Sequence, residues 1–346
     1  MAFKVVQLVG LAGAPDYDDM FRKAGVKVEL VKKVLTQASE DDIINAVGDA
    51  DAAIIAATFM PFPRRVLINL ENCKFIMSIG IGYDRLDVEA ATELGILVAN
   101  VPDASLEEVS DHTMGLILAC SRKIVQLNDI AKGGYWKSMR EPCIQDEIWP
   151  KLSRLKGQVL GLIGFGRIAR NLVPKANGFK LRIIAYDPYV ASSIFKKFGV
   201  EQVSLNELLT RSDIVSIHVP LTKETTQLLR LEQFKVMKPS ACLINTARGA
   251  VIDSDALYTA LKQGYISAAA VDVTDPEPIP ADSPLLELDN FIVTAHSAGM
   301  SPGARYELHR RPAEEVVRVA KGDWPVGLLD PRVKSKYRKK WGLTPG

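Results

Sequence analysis

Four histidines stand among the 346 residues, and one of them is placed to do chemistry. His296 follows the apolar run 291–294 and precedes the small residues Ser297, Ala298 and Gly299. An imidazole at the C-terminal end of a parallel strand lies on the edge where open α/β sheets bind ligands. There it can pass a proton to or from a reacting group near neutral pH. Two further runs end in complementary groups. Leu243-Ile244-Asn245-Thr246-Ala247 leads into Arg248-Gly249, whose guanidinium can grip a carboxylate through two parallel hydrogen bonds. Val271-Asp272-Val273 leads into Thr274-Asp275-Pro276-Glu277-Pro278, a proline-stiffened acidic loop. Singly, each has a structural explanation: a surface ion pair for Arg248, a loop carboxylate for Glu277, a packing residue for His296. On one sheet edge they read together as a substrate clamp, an acid/base and a carboxylate that tunes it. Of the other histidines, His112 falls within a helical segment and His309 in the basic run His309-Arg310-Arg311; both read as structural or solvated. His218 ends a strand and is a candidate satisfied core residue.

A second pattern indicates what these groups would act beside. Val159-Leu160-Gly161-Leu162-Ile163 reads as a strand, and Gly164-Phe165-Gly166-Arg167-Ile168-Ala169 opens the next helix. This is a G-x-G-x-x-A turn in strand–helix context. Gly164 permits the tight turn, and Gly166 lets the backbone approach a pyrophosphate. The free N–H groups and positive dipole end of the helix, at Arg167 and Ile168, would hold it. A second strand, Arg182–Tyr186, ends in Asp187, 23 residues after Gly164. A carboxylate there accepts from the ribose hydroxyls of NAD(H) and repels the 2′-phosphate of NADP(H). The turn Asp187-Pro188 would explain the acid alone, but not the whole strand–turn–helix–strand–acid series. That series predicts dinucleotide binding, with NAD(H) as the cofactor.

Elements that could position these groups are legible along the chain. Apolar runs at 5–9, 52–57, 75–79, 159–163, 182–186, 214–219, 242–245, 268–273 and 291–294 alternate with helix-length amphipathic segments. Continuous apolarity marks strands covered on both faces, as in parallel sheets built from βαβ units. The expectation is an α/β fold of two doubly wound parallel-sheet domains. Ser105-x-x-Glu108 reads as a capping box, and Val109, Thr113, Leu116, Ile117, Cys120 and Ile124 follow at helical spacing. Asn100-Val101-Pro102, just before it, disfavours a continuous helix and marks a hinge. Residues 299–303, with Pro302, mark a second hinge ahead of a helix from Arg305 to Ala320. Two hinges imply a discontinuous domain, 1–102 and 303–346, enclosing an inserted domain at 103–302.

Composition narrows the class. With 47% hydrophobic and 24% charged residues, the chain is not disordered, collagen-like or coiled-coil. Lys and Arg number 43 against 41 Asp and Glu, so no global excess points to nucleic acid or membrane. Six basic residues and no acid lie from Arg332 to Lys340, leaving a body of 37 positive and 41 negative charges. With Tyr337 and Trp341 interleaved, that tail could touch phosphates. A solvated or subunit-capping tail is the simpler expectation, and no nucleic-acid partner is expected. Cys73, Cys120, Cys143 and Cys242 lie 47, 23 and 99 residues apart with no C-x-x-C pair. Free thiols in a reducing cytosol are expected, without a disulfide framework or metal site. No apolar run reaches the ~18 residues of a membrane span. Val5-Val6-Gln7-Leu8-Val9 reads as a buried first strand rather than a signal peptide. The protein is expected to be cytoplasmic.

Over all but its basic tail, the chain resembles the D-isomer-specific 2-hydroxyacid dehydrogenase family. The segment from Gly161 to Ile168 is similar to the family's nucleotide turn, and His218-Val219-Pro220-Leu221-Thr222 to its H-x-P-L-T segment. Asn245-Thr246-Ala247-Arg248-Gly249 matches N-x-A-R-G. Asp272 to Pro278 matches D-V-x-x-x-E-P, with Thr274-Asp275 where Phe-Glu is commoner. Thr294-Ala295-His296-Ser297-Ala298-Gly299 resembles the catalytic histidine segment, and Ser78-Ile79-Gly80-Ile81-Gly82-Tyr83-Asp84 the substrate loop. The resemblance implies a Rossmann-type coenzyme domain inserted into a flavodoxin-like substrate domain. It implies NAD(H), a small 2-oxo or 2-hydroxy acid, and a homodimer formed through the helix from Ser105 to Ile124. Arg248 would bind the substrate's carboxylate and carbonyl oxygen, with the N–H groups of Ile81 and Gly82 on the carboxylate's other side. His296, paired with Glu277, would donate the proton as hydride reaches the carbonyl carbon. Asp272 would lie near the nicotinamide, and cofactor contacts would include His218, Pro220, Thr246, Ala247 and His296.

Departures from the family bear on the substrate. Where phosphoglycerate-specific members place arginines to grip phosphate, this chain has Ala56 and Ser78, and Thr58-Phe59-Met60-Pro61-Phe62 is apolar. A small, unphosphorylated 2-oxo acid is therefore expected, although Arg64 and Arg65 lie close in sequence. Arg85 stands where Asn is common, with no role legible. The competing reading is an NAD(H)-responsive binding protein similar to the C-terminal-binding-protein corepressors. His296-Ser297-Ala298 resembles that branch, although Gly299 stands where it carries Trp.

Overall fold

A computed structural model describes residues 2–342 of the chain. The chain forms two compact units, one of Met1–Ala104 with Ser301–Gly346 and one of Ser105–Met300. Residues 343–346, the end of the segment expected over 303–346, lie outside the described residues.

In the first unit, β1 (Phe3–Gln7), β2 (Val28–Lys32), β3 (Ala52–Ile55), β4 (Phe75–Ser78) and β5 (Leu97–Ala99) form one all-parallel sheet. Its order is β2-β1-β3-β4-β5, the flavodoxin-like arrangement. Every residue of β3 and β4 is buried, which is why those runs are continuously apolar. β2 is an edge strand whose Val-Glu-Leu-Val-Lys mixes exposed charges with half-buried aliphatics, so it carries no such run. Two of the apolar runs continue past their strands, because Leu8, Val9 and Ala57 stay buried in the loops that leave the sheet.

The second unit contains β6 (Val159–Ile163), β7 (Arg182–Tyr186), β8 (Glu201–Gln202), β9 (Ile214–Ile217), β10 (Cys242–Asn245), β11 (Ala268–Val271) and β12 (Phe291–Val293). All pair in parallel, in the order β12-β11-β10-β9-β6-β7-β8. Counted from β6, this is the doubly wound 3-2-1-4-5-6 order with one added edge strand, and the order reverses between β6 and β9. On one face Phe165 and Phe195 stack with ring centroids 4.7 Å apart, and Phe234 fills the other.

Two local expectations need correction. The helix expected from Ser105 to Ile124 runs Leu106–Arg122, and Ser105, its N-cap residue, makes no side-chain capping hydrogen bond. The capping box with Glu108 does not form, because Ser105 has φ −133° and ψ 28° instead of the extended conformation that aims an N-cap hydroxyl into the first turn. Lys123 then takes φ 52°, a left-handed conformation that stops the helix. Ile124 opens a separate helix, Ile124–Lys132, and is 52% exposed, whereas Val109, Thr113, Leu116, Ile117 and Cys120 form the buried stripe.

The basic tail caps its own unit through its apolar residues, while four of its six basic residues, Arg332, Lys336, Lys339 and Lys340, stay exposed. Val333–Trp341 is a helix whose Val333 and Tyr337 are buried in the first unit's core. Trp341 donates its Nε1–H to the Gly95 carbonyl, and the ammonium groups of Lys74 and Lys340 lie 5.3 and 4.7 Å from its ring centroid. The aromatic residues of the tail are thus committed to packing. Just before the helix, the buried Asp330 carboxylate accepts from Arg332 Nη2 at 2.7 Å and Thr92 Oγ1 at 3.0 Å. The Arg332 guanidinium, above all, holds its carboxyl down at about 2. A carboxyl that ionises more readily in the folded state contributes stability above its unfolded value of 3.8 and loses it as pH falls through the folded one. Asp330→Asn should therefore lower the thermal midpoint most at neutral pH and progressively less below pH 4. A deficit that does not shrink between pH 7 and pH 3 would mean the pair contributes nothing to stability.

Candidate active site

The C-terminal edge of the seven-stranded sheet collects the candidate groups, each just past the end of its strand. Asp187 follows β7, Gly164 follows β6 and His218 follows β9; Thr246, Ala247 and Arg248 follow β10, Asp272 and Glu277 follow β11, and His296 follows β12. The strand order alone puts them in this sequence across the edge. Only β9 separates the glycine turn from the strand bearing Arg248, a distance on the order of 10 Å at the usual spacing of sheet strands.

His296 and Glu277 form a direct pair, Nδ1 to Oε1, with both side chains 34% exposed. The loop around His296 is fastened to Asp272. The Asp272 carbonyl accepts from His296 N at 2.9 Å. Its carboxylate, almost wholly buried, accepts from Thr294 Oγ1 at 2.5 Å, Ser297 N at 3.0 Å and Ala298 N at 2.8 Å. His296 itself has φ 48°, an uncommon conformation for a residue with a Cβ.

Arg248 is oriented by buried Asn245, whose Nδ2 donates to the Arg248 carbonyl at 2.9 Å and whose Oδ1 accepts from Ala247 N at 3.0 Å. Arg248 Nη1 donates to the Ala247 carbonyl at 2.6 Å. Gly249 is required beside it, because a Cβ there would lie 2.0 Å from the Thr274 carbonyl group. The arginine turn and the loop leading to Glu277 therefore touch backbone to backbone.

The glycine turn fits a dinucleotide. Gly164 has φ 90°, and a Cβ on it would lie 2.8 Å from the His218 carbonyl group. At Gly166 a Cβ would meet nothing within 4 Å, so the turn leaves open space there. Gly166 is the N-cap of the helix Arg167–Gly178 and offers no side-chain cap, which leaves the first N–H groups for an anion. Asp187 is tied to this turn: one carboxylate oxygen accepts from Phe165 N and the other from Tyr189 N, each at 2.9 Å. The oxygens retain lone pairs for ribose hydroxyls. Arg167 and Pro220 are exposed and Ile168 is half-buried. His218 Nε2 lies 2.9 Å from Ser216 Oγ, and burial pushes its pKa down to about 4, so the ring is neutral. Thr246 Oγ1 meets Thr113 Oγ1 at 3.0 Å.

Ile81 and Gly82 belong to the first unit, in the loop after β4 on that sheet's own C-terminal edge. Asn100 Nδ2 donates to the Ile81 carbonyl at 2.7 Å, and Val101 N to the Gly80 carbonyl at 3.0 Å. In the same unit Arg85 gains a role that its position in the sequence did not disclose. Its Nη1 donates to the Phe59 carbonyl at 2.8 Å, and its backbone pairs with Ala57 and Phe62, pinning the apolar loop 58–62. Arg64 pairs with Glu93, and Arg65 with Glu40 and Asp41. Sequence reasoning named Asn245 only within its motif and Asn100 only at a hinge; their side chains shape loops rather than bear chemistry. His112, expected to be structural or solvated, has a partner: its Nε2 lies 3.0 Å from Thr294 Oγ1. Helical position alone carries no signal for a contact 182 residues away.

Residues 114–298 match the family model described as D-isomer specific 2-hydroxyacid dehydrogenase, NAD binding domain. The chain is 40% identical, over 84% of its length, to a D-3-phosphoglycerate dehydrogenase of Methanocaldococcus jannaschii, and spans about half of that relative (54%). It is 37% identical over 85% of its length to a glyoxylate reductase of Korarchaeum cryptofilum, of which it covers 87%. The solved apo structure of Rhodotorula graminis D-mandelate dehydrogenase superposes with a TM-score of 0.81 at 30% identity, covering 94% of this chain and 97% of that one. No helix among the described residues is long and apolar enough to cross a membrane. With the nucleotide turn, the parallel sheets and these similarities on one polypeptide, the chain carries an NAD-binding domain and belongs to the D-isomer-specific 2-hydroxyacid dehydrogenase family.

Proposed function

We propose that the protein is a cytoplasmic NAD(H)-dependent D-2-hydroxyacid dehydrogenase that interconverts a small, unphosphorylated 2-oxo acid and its D-2-hydroxy acid. The observation that carries this reading is the His296–Glu277 pair on the same sheet edge as Arg248 and the glycine turn. The glycine turn and Asp187 would hold NADH, which would supply a hydride, two electrons and a hydrogen nucleus, for the carbonyl carbon. The protein's residues do the rest. Arg248 grips the substrate carboxylate with its planar fork and draws charge from the carbonyl oxygen. His296, with Nδ1 engaged by Glu277, passes a proton from Nε2 to that oxygen, so no alkoxide accumulates. Glu277, engaged at Nδ1, holds the ring so that Nε2 faces the substrate oxygen. In the oxidative direction His296 takes the proton back. The N–H groups of Ile81 and Gly82 are assigned to the substrate carboxylate, and 1–102 with 303–346 to the substrate domain.

The first unit's sheet edge supports the substrate class proposed. Ser78 is buried, and its hydroxyl accepts from Ala57 N at 3.1 Å, so neither Ala56 nor Ser78 supplies a cation for a phosphate. Arg64 and Arg65 have acidic partners of their own. Phe59, 66% exposed on the loop that Arg85 pins, offers apolar surface instead. Steady-state NADH oxidation across glyoxylate, hydroxypyruvate, 3-phosphohydroxypyruvate and 2-oxo acids with apolar side chains should find turnover with unphosphorylated acids. His296→Ala should lower it roughly 10²–10⁴-fold while leaving NADH binding intact. No turnover on any acid would favour the NAD(H)-responsive binding reading. Turnover of His296→Ala within a few-fold of the parent would remove the histidine from the mechanism.

Asp187 accounts for cofactor choice. A 2′-phosphate would bring like charge against its carboxylate, and Tyr186 and Pro188 beside it supply no cation. Wild type should prefer NADH to NADPH in kcat/KM, and Asp187→Ser should narrow the gap by weakening NADH and relieving the repulsion. A wild-type preference for NADPH would show that the acid serves only its turn.

We also propose a homodimer, its contact extending from the region the resemblance implied, Ser105 to Ile124, into the segment that follows. The helix Leu106–Arg122 buries its apolar stripe within its own unit. Six of the exposed large apolar side chains follow it: Ile124, Val125, Tyr135, Trp136, Met139 and Trp149. Apolar side chains so close in sequence fit burial against a second copy of the chain. Sedimentation should find a dimer that Trp136→Glu with Met139→Glu converts to monomer; a wild-type monomer at micromolar concentration would overturn the assignment.

A further inference from the structure

We infer that His112, which the proposed mechanism does not use, is a positioning residue that fixes the His296 loop through the Thr294 hydroxyl and the buried Asp272 carboxylate. The inference rests on the proposed function for its activity readout. His112 lies on the helix Leu106–Arg122, remote in sequence from the loop it meets. Its Nε2 is 3.0 Å from Thr294 Oγ1 and 3.6 Å from Asp272 Oδ1. Thr294 Oγ1 is in turn 2.5 Å from the same Asp272 oxygen.

The direction of these bonds follows from valence. A threonine hydroxyl has one hydrogen, and an ionised carboxylate can only accept. Thr294 therefore donates to Asp272, and its remaining lone pairs must accept from His112. That requires His112 to carry a proton on Nε2. The imidazole N–H thus holds the hydroxyl in the one rotor that serves Asp272, and donors in such a chain strengthen one another.

What the chain secures is the proton donor. Asp272 also accepts from Ser297 N and Ala298 N, and its carbonyl accepts from His296 N, so both flanks of His296 are tied to this one residue. His296 has φ 48°, which a residue with a side chain keeps only under restraint from its surroundings. The Asp272 side chain is 1% exposed and that of His112 is 26% exposed. His112 therefore closes the solvent side of the network. Without it the Thr294 hydroxyl loses the donor that fixes its rotor, and water entering on that side is a mobile substitute. The cost falls on where the imidazole stands, and so on turnover more than on binding.

The test uses the full chain in four variants: His112→Ala, His112→Gln, Thr294→Val and the His112→Ala/Thr294→Val double. His112→Ala should lower kcat roughly 10- to 100-fold, the range that small misplacement of a reacting group costs, with NADH affinity unchanged within about twofold. His112→Gln, whose amide can donate to the hydroxyl, should recover most of the loss. The double variant should be no worse than the poorer single, since both act along one path. Wild-type kcat in His112→Ala, no recovery in His112→Gln, or fully additive losses would each overturn the inference. Should His112→Ala fail to fold, Thr294→Val against Thr294→Ser makes the same comparison, with Ser expected near wild type. His296→Ala run alongside separates the two readings, because its retaining turnover would sink the mechanism and leave the positioning claim to a second measurement. That measurement is the ¹⁵N imidazole spectrum of His296, which should shift or broaden in His112→Ala; identical resonances would overturn the claim whatever the assay shows.

Discussion

A single buried carboxylate organises this protein's reactive edge. Asp272 stands one residue past β11 with its side chain almost fully out of water, a costly position for a charge unless donors meet its lone pairs. Three do, and all come from the loop that carries His296: the Thr294 hydroxyl and the Ser297 and Ala298 amides. The desolvation that makes the acid expensive also makes those bonds hard to exchange for water. Hence the loop has one geometry, and an unfavourable φ at His296 is held within it.

Around this point the backbone comes closer than side chains allow. The turn after Arg248 meets the carbonyl of Thr274, and the end of β6 meets the carbonyl of His218; in each place only glycine fits. These two contacts fix the spacing between the Arg248 turn, the acidic loop and the nucleotide turn. A parallel sheet delivers all strand ends to one edge, and the glycines let neighbouring loops pack at main-chain distance. The chemistry-bearing side chains are then the outermost layer of a backbone construction.

The first unit uses charge for a different purpose. Arg85 pins a loop through carbonyl contacts, Arg64 and Arg65 pair with helix-borne acids, and the cationic tail packs Lys334 and Arg338 over Trp324 and Lys340 over Trp341. A dense run of basic residues thus covers apolar surface with alkyl stems and aromatic contacts. Six positive charges in nine residues suggest a polyanion partner only while the chain is read as a line.

The sequence by itself determined the α/β class and the strands buried on both faces, because a parallel strand covered by helices must be apolar along its whole length. It also singled out the nucleotide turn and the candidates Arg248, Glu277 and His296, because their types follow such runs within a few residues. Edge elements such as β2 and the two-residue β8 were not legible, since exposed edges tolerate charge and lose the pattern. The end of the helix at Lys123 depends on one left-handed residue whose type does not announce it. His112, Asn100, Asn245 and Arg85 look alike in sequence whether solvated or engaged; their roles come from contacts with backbone and hydroxyl groups brought near by the sheet. Local pattern records what a residue must be to sit in its own strand or helix. Only the tertiary fold decides which distant carbonyl, amide or carboxylate it meets there.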